Sequence, residues 1–317
     1  MKVRNVGRSG LKVSVLGLGC NNFGGRSDAE ATRKVIHAAL DLGITLFDTA
    51  DAYPMGAAGK SEELIGQWLG PRRQDIVLAT KFGAALAPGK PRDASRRYVM
   101  SAVEDSLRRL KTDWIDLYQV HFLDPQTPVE ETLRALDDLV RQGKVRYIGC
   151  SNFPAWRVVD ALWTASELNL NGFICCQDEY SLVVREAERE LIPAIASHGL
   201  GLLPFFPLAS GLLTGKYRKD APPPQGARLS GGNMLSDRFL SEGNYAVAAR
   251  LEAFAVERGR SLLELAFSWL LAQPVVPSVI AGATRPEQLG QNAKAVDWAL
   301  SADDLAQVDR LRAAPAG

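Results

Sequence analysis

The chain holds little cysteine and less histidine, four and three residues respectively in 317. Cys20, Cys150, Cys175 and Cys176 show neither CxxC spacing nor Cys/His pairing at ligand distance, so no metal site and no disulfide framework are expected, and a reduced, cytoplasmic setting is. Excess charge is missing too. Lys+Arg 37 against Asp+Glu 36 gives a formal net charge of +1, which leaves no overall field for gripping nucleic acid or an anionic membrane, and neither is expected as a partner. No apolar run reaches the roughly 18 residues that span a bilayer, and the opening MKVRNVGRSGLKV has no apolar stretch of signal-peptide length. A GxGxxG loop after the first strand is also lacking, which argues against a Rossmann domain. What remains, 46% hydrophobic and 23% charged, is the composition of a folded globular protein.

Short apolar runs alternate with longer stretches of helical period, the pattern of repeated βα units around a parallel sheet. Strands are expected at 13–19, 45–48, 76–81, 115–121, 145–149, 173–177, 200–204 and 277–282. Ser27-Asp28-Ala29-Glu30 and Thr127-Pro128-Val129-Glu130 read as capping boxes, and Gly43, Gly143 and Gly199 stand where helices end on a left-handed residue. Eight such units over this length predict an α/β protein, a (β/α)8 TIM barrel forming a single domain over 1–317, with an open doubly wound sheet as the alternative. An N-terminal hairpin and extra helices after strand seven complete the expected fold. Residues 216–244, rich in Pro, Gly and Ser, predict a long irregular loop, followed by helices at 244–258 and 261–273, the second capped by Ser261 with Glu264.

In such a barrel, chemistry sits at the carboxyl ends of the strands. Asp48, Lys81 and His121 close the second, third and fourth runs, Ser151 and Asn152 follow the fifth, and Gln177 ends the sixth. Each alone reads as a cap, a rim charge or a satisfied polar group. Together, spaced by about one βα unit each, they fall on one rim, and Tyr53 on the loop after Asp48 adds a proton donor. His37 and His198 lie within helical patterns and carry no such reading.

The local wording resembles the aldo-keto reductase superfamily. FDTAxxY is matched by Phe47 to Tyr53, TK by Thr80-Lys81, DLYQxH by Asp116 to His121, GxSN by Gly149 to Asn152 and QxEYS by Gln177 to Ser181. PLAxGxLTGK is matched by Pro207 to Lys216, and GAxxPEQ…N by Gly282 to Gln288 with Asn292. These motifs run in unbroken order from about Gly10 to Asn292.

The resemblance implies reversible hydride transfer between NADP(H), with NAD(H) as a second cofactor, and a small carbonyl or alcohol substrate. Tyr53 is the implied acid/base, with Lys81 favouring its phenolate, Asp48 holding Lys81, and neutral His121 orienting the carbonyl. Ser151, Asn152 and Gln177 are the implied partners of the nicotinamide carboxamide, and Phe205 stacks on the ring where Tyr or Trp is commoner. Phe206 replaces a small polar residue. Leu208, Ser210, Lys216 and Arg228 are implied at the pyrophosphate, and Gly282, Thr284, Arg285, Gln288 and Asn292 at the adenosine end. Asn21, Asn22, Phe23, Met55, Phe82 and Phe122 are expected to wall the substrate pocket. The alternatives are a sugar or polyol dehydrogenase running oxidatively on NAD(P)+, and a cofactor-binding regulatory subunit resembling potassium channel β subunits.

Overall fold

The computed structural model describes residues 1–313. Strands β1 (Val3–Asn5) and β2 (Lys12–Ser14) form an antiparallel hairpin, and a second sheet contains β3 (Leu16–Gly19), β4 (Leu46–Asp48), β5 (Val77–Phe82), β6 (Ile115–Val120), β7 (Val145–Ser151), β8 (Cys175–Glu179), β9 (Gly201–Phe205) and β10 (Val279–Gly282). All seven pairings in this sheet are parallel, in the order β10-β3-β4-β5-β6-β7-β8-β9. The ends of the sheet also meet, since Leu202 of β9 donates its amide to Val275, just ahead of β10, at 2.7 Å. The helices are α1 (Ala29–Asp41), α2 (Lys60–Leu69), α3 (Arg96–Leu110), α4 (Val129–Arg141), α5 (Ala155–Glu167), α6 (Leu191–His198), α7 (Met234–Phe239), α8 (Glu242–Glu257), α9 (Leu262–Leu271), α10 (Pro286–Lys294) and α11 (Ala302–Ala313). This is the α/β barrel that the alternation predicts, with its hairpin and its extra helices.

Strand periodicity of two sorts the side chains into two cores. Leu46, Ala79, Leu117, Cys175, Leu203 and Ile280 point inward and pack with Val6, Leu11 and Val13, so the hairpin plugs the amino end of the barrel. The residues between them, such as Phe47, Leu78, Tyr118, Ile148 and Leu202, join the helix-facing core. With one end plugged, the carboxyl rim is the open face.

Several local expectations need correction. The run 13–19 is two strands, because Ser14 and Thr45 exchange side-chain bonds with each other's amides at 2.9 Å and interrupt the ladder. Asp28, not Ser27, caps α1 by accepting from Ala31 N at 2.8 Å. Thr127 caps nothing: its hydroxyl donates to Asp124 at 2.6 Å, and α4 starts behind Pro128. The stretch 216–244 is not wholly irregular, since Asn233 caps the short α7 within it and α8 begins at Glu242. Ser261 with Glu264 does form the expected capping box. Gly43, Gly143 and Gly199 have φ of 72°, 75° and 71°, the left-handed values that end α1, α4 and α6.

Candidate active site

Inward-facing positions at the carboxyl ends of the strands bring Asp48, Lys81, His121, Ser151 and Gln177 together. Lys81 is fully buried, and its Nζ donates to both oxygens of Asp48, at 2.8 and 2.7 Å, and to the Thr49 carbonyl at 2.8 Å. Asp48 Oδ1 also accepts from Gln177 Nε2 at 2.8 Å and from Gln119 Nε2 at 3.5 Å. Burial acts to lower Lys81, but the charge of Asp48, with Tyr53 and the paired hydrogen bonds, carries it above its ordinary value, so it stays cationic.

Tyr53 lies over this pair, its ring centroid 5.2 Å from Lys81 Nζ. Its ring meets His121 edge-on, with centroids 5.5 Å apart and planes at 85°. Burial raises the Tyr53 phenol above its ordinary range, with Lys81 pulling it down and Asp48 pushing it up. Lys81 thus acts toward the phenolate as expected, but desolvation outweighs it and the phenol is the resting form. His121 is pushed down to about 3 by burial, then by Lys81 and Arg92, so it is a neutral imidazole. Its Nδ1 is buried without a partner among the described residues. Phe122 stacks on the imidazole at 4.7 Å, with Arg92 4.5 Å beyond it.

Beside this group, Asn152 holds a left-handed φ of 56°, and its Nδ2 donates to the His121 carbonyl and to Ser151 Oγ, both at 3.0 Å. Phe205 ends β9 and meets Phe206 edge-on at 5.5 Å. Phe206, Ala209, Ser210 and Gly211 have φ of 50°, 47°, 56° and 104°, a contorted turn in which Ser210 Oγ is buried without a partner among the described residues. Ala209 and Gly211 spend their amides inside this turn, on the Phe206 and Leu208 carbonyls, both at 2.8 Å, which leaves the Ser210 hydroxyl as its unpaired group. Lys216 is lowered by burial, then by Arg26 and Arg285, and Arg228 by burial, then by Arg26, which places four cations within one field. Arg26 was not legible as a member: it comes from the loop after β3 and donates to the Gly226 carbonyl at 3.0 Å.

At the end of β10, Thr284 and Arg285 precede α10, and Gln288 Oε1 accepts from their amides at 2.7 and 3.3 Å. Gln288 therefore uses its carbonyl as a cap, and Asn292, one turn on, is buried. Leu208 lies within the contorted turn, its carbonyl accepting from Gly211 N at 2.8 Å, and Asn22 packs so close to Gly282 that a Cβ there would lie 3.0 Å from its Nδ2. Asn21 is also against Gly282, its Oδ1 3.7 Å from that position.

Two expected wall residues face elsewhere. Phe82 follows inward Lys81, so it points to the helices, where it packs on Tyr118 at 4.7 Å, and Phe23 is fully buried in the same helix-facing core. Met55 is 94% exposed and covers nothing.

Comparison with known proteins bears on the family of the whole chain. The profile of the aldo/keto reductase family matches residues 15–313. The chain is 38% identical over 303 residues to a probable voltage-gated potassium channel subunit beta of Arabidopsis thaliana, covering 94% of this chain and 92% of the relative. It is 37% identical over 327 residues to the uncharacterized oxidoreductase YrpG of Bacillus subtilis (strain 168), covering 100% and 98%. It is 34% identical over 319 residues to L-glyceraldehyde 3-phosphate reductase of Escherichia coli (strain K12), covering 98% and 92%. With the barrel and its rim of polar strand ends, these matches show that the chain belongs to the aldo/keto reductase family of NAD(P)H-dependent oxidoreductases.

Proposed function

We propose that the chain is an NADPH-dependent carbonyl reductase that converts an aldehyde or ketone to the alcohol, with Tyr53 as proton donor. The observation that carries this reading is the buried Lys81–Asp48 pair beneath Tyr53, with a neutral His121 edge-on to the same ring. A bound nicotinamide supplies hydride to the carbonyl carbon. Tyr53, held as a phenol, gives its hydroxyl proton to the oxygen as negative charge develops there. Lys81 answers the phenolate left behind, and Asp48 keeps Lys81 charged and in place. His121, uncharged, hydrogen-bonds the carbonyl oxygen and orients it.

The cofactor residues fit a dinucleotide on two counts: the orphaned Ser210 hydroxyl in a turn of left-handed residues, and a set of cations in which Arg26 and Arg285 repel Lys216 and Arg26 repels Arg228. Ser210, Lys216, Arg228 and Arg26, with Leu208, would hold the pyrophosphate. Ser151, Asn152 and Gln177 would take the carboxamide, with Phe205 against the ring, and Gln177 would offer its Oε1 because its Nε2 serves Asp48. Gly282, Thr284, Arg285 and Asn292 would hold the adenosine end, with only the amide nitrogen of Gln288 left to face it.

Turnover of a panel of aldehydes, ketones and sugars with NADPH and NADH tests the reading. Tight cofactor binding with no turnover of any carbonyl would instead favour a cofactor-binding subunit, a second reading that rests on the 38% identity to the Arabidopsis protein. The 2′-phosphate gives a further expectation. Arg285 stands at the start of α10, where helix dipole and guanidinium both favour an anion. A charge-assisted contact there is worth roughly 1.5–3 kcal/mol, or about 10- to 150-fold in affinity. NADPH should bind tighter than NADH by that order, and Arg285→Ala should erase most of the difference while sparing NADH. Equal affinities in the unmodified protein, measured by titration, would leave Arg285 a solvated loop residue.

A further inference from the structure

Behind the catalytic rim, between the sheet and α2 and α3, lies a buried polar cluster that the reaction does not use. Glu62 of α2 is fully buried and well answered: Thr80 Oγ1 donates to its Oε1 at 2.6 Å and Arg109 Nε of α3 to its Oε2 at 2.7 Å. Asp51, two residues before Tyr53 and 4% exposed, is not. Its Oδ2 accepts from the Tyr98 hydroxyl of α3 at 3.0 Å, while its Oδ1 is buried with no partner among the described residues. Tyr118 of β6, whose hydroxyl is also buried and has no partner among the described residues, completes the surroundings.

Two carboxylates therefore share one cation, and that cation is spent on Glu62. An ionised oxygen with no donor, in a buried space beside a second carboxylate, is costly, and a proton on it removes the cost. Burial, then Glu62, push Asp51 up to about 7, against the Tyr98 hydrogen bond, Arg109 and the neighbouring Ala52 amide.

The cluster is wired to the catalytic turn. Asp51 donates its amide to the Lys81 carbonyl at 3.0 Å, the Tyr53 carbonyl accepts from Ser61 N at 3.1 Å at the start of α2, and Thr80 directly precedes Lys81. Repulsion between Asp51 and Glu62 would thus act between the turn bearing Tyr53 and the helix to which that turn is bonded.

We propose that Asp51 is a positioning residue that carries a proton on Oδ1 in the working enzyme, and that losing this proton displaces the turn that aims Tyr53, giving turnover an alkaline limb of its own. The proposal rests on Tyr53 as proton donor. Its linkage does not: a folded-state value above the ordinary 3.8 gives stability that is present in acid and is lost as pH rises through about 7. His121, lowered in the fold, acts in the opposite direction, and Asp178, raised to about 6 by burial, acts in the same one, so the difference between variants isolates Asp51.

Asp51→Asn copies the protonated form and keeps an acceptor for Tyr98. In the unmodified protein, kcat should fall about tenfold per pH unit above about 7 as the active protonated form is depleted. The Asn variant should hold its rate until Tyr53 itself titrates, and its melting temperature should lack the decline that the unmodified protein shows toward pH 7. Tyr98→Phe, which deletes a donor to the ionised carboxylate, should move the inflection to higher pH, and it carries the test if the Asn variant does not fold. An inflection that persists unchanged in Asp51→Asn, or that stays in place in Tyr98→Phe, overturns the proposal. Melting needs no substrate, so a protein without reductase activity would sink the functional reading while leaving the Asp51 proton testable.

Discussion

Tyr53→Phe is expected to lower kcat for carbonyl reduction by roughly 10²–10⁴-fold, the usual worth of general acid catalysis, and to leave cofactor affinity nearly unchanged. The substitution deletes one oxygen and spares the ring, so the edge contact with His121 at 5.5 Å and the placement over Lys81 are retained. The Lys81–Asp48 pair keeps all its hydrogen bonds, and packing changes little. Direction adds a second signature. Because burial holds the phenol protonated through neutral pH, with Lys81 only partly opposing it, reduction has its proton donor ready, whereas alcohol oxidation needs the phenolate and should gain relative to reduction as pH rises. Steady-state kinetics in both directions, beside a cofactor titration, check both. A variant that retained the original kcat would remove Tyr53 from the chemistry.

The rim was legible because a polar residue closing an apolar strand is a conspicuous exception, and Asp48, Lys81, His121 and Gln177 are four of them in parallel strands of one barrel. The pocket wall was less legible for a reason that the same periodicity contains. If Lys81 faces the lumen, its neighbour Phe82 must face the helices, and Tyr118, one position before the inward Gln119, does likewise. Alternation, applied strictly, would have excluded Phe82. Ser27 and Thr127 misled because a hydroxyl ahead of a helix is a cap only if nothing nearer competes, and Asp124 takes Thr127 while Asp28 takes the helix. Arg26 and the Asp51–Glu62–Arg109 cluster carried no local signal at all. They become groups only when loops and helices distant in sequence close on one another.

Lys81→Met is expected to abolish most turnover and also to destabilise the fold. Lys81 is fully buried and Asp48 is 4% exposed, so removing the cation leaves a carboxylate in a desolvated space. Breaking one side of such a pair costs roughly 3–5 kcal/mol, on the order of 10 °C in melting temperature for a protein of this size. The lower part of that range applies here, because Gln177 and Gln119 still donate to Asp48 Oδ1 after the lysine has gone. Pairing the change with Asp48→Asn removes the stranded charge, and the double variant should regain much of the lost stability. It should regain no activity, since neither Met nor Asn can answer the phenolate of Tyr53. That split separates a catalytic cation from a structural one. A single variant with unaltered melting and turnover would make Lys81 an ordinary rim charge, and recovery of rate together with stability in the double variant would assign the pair to the fold alone.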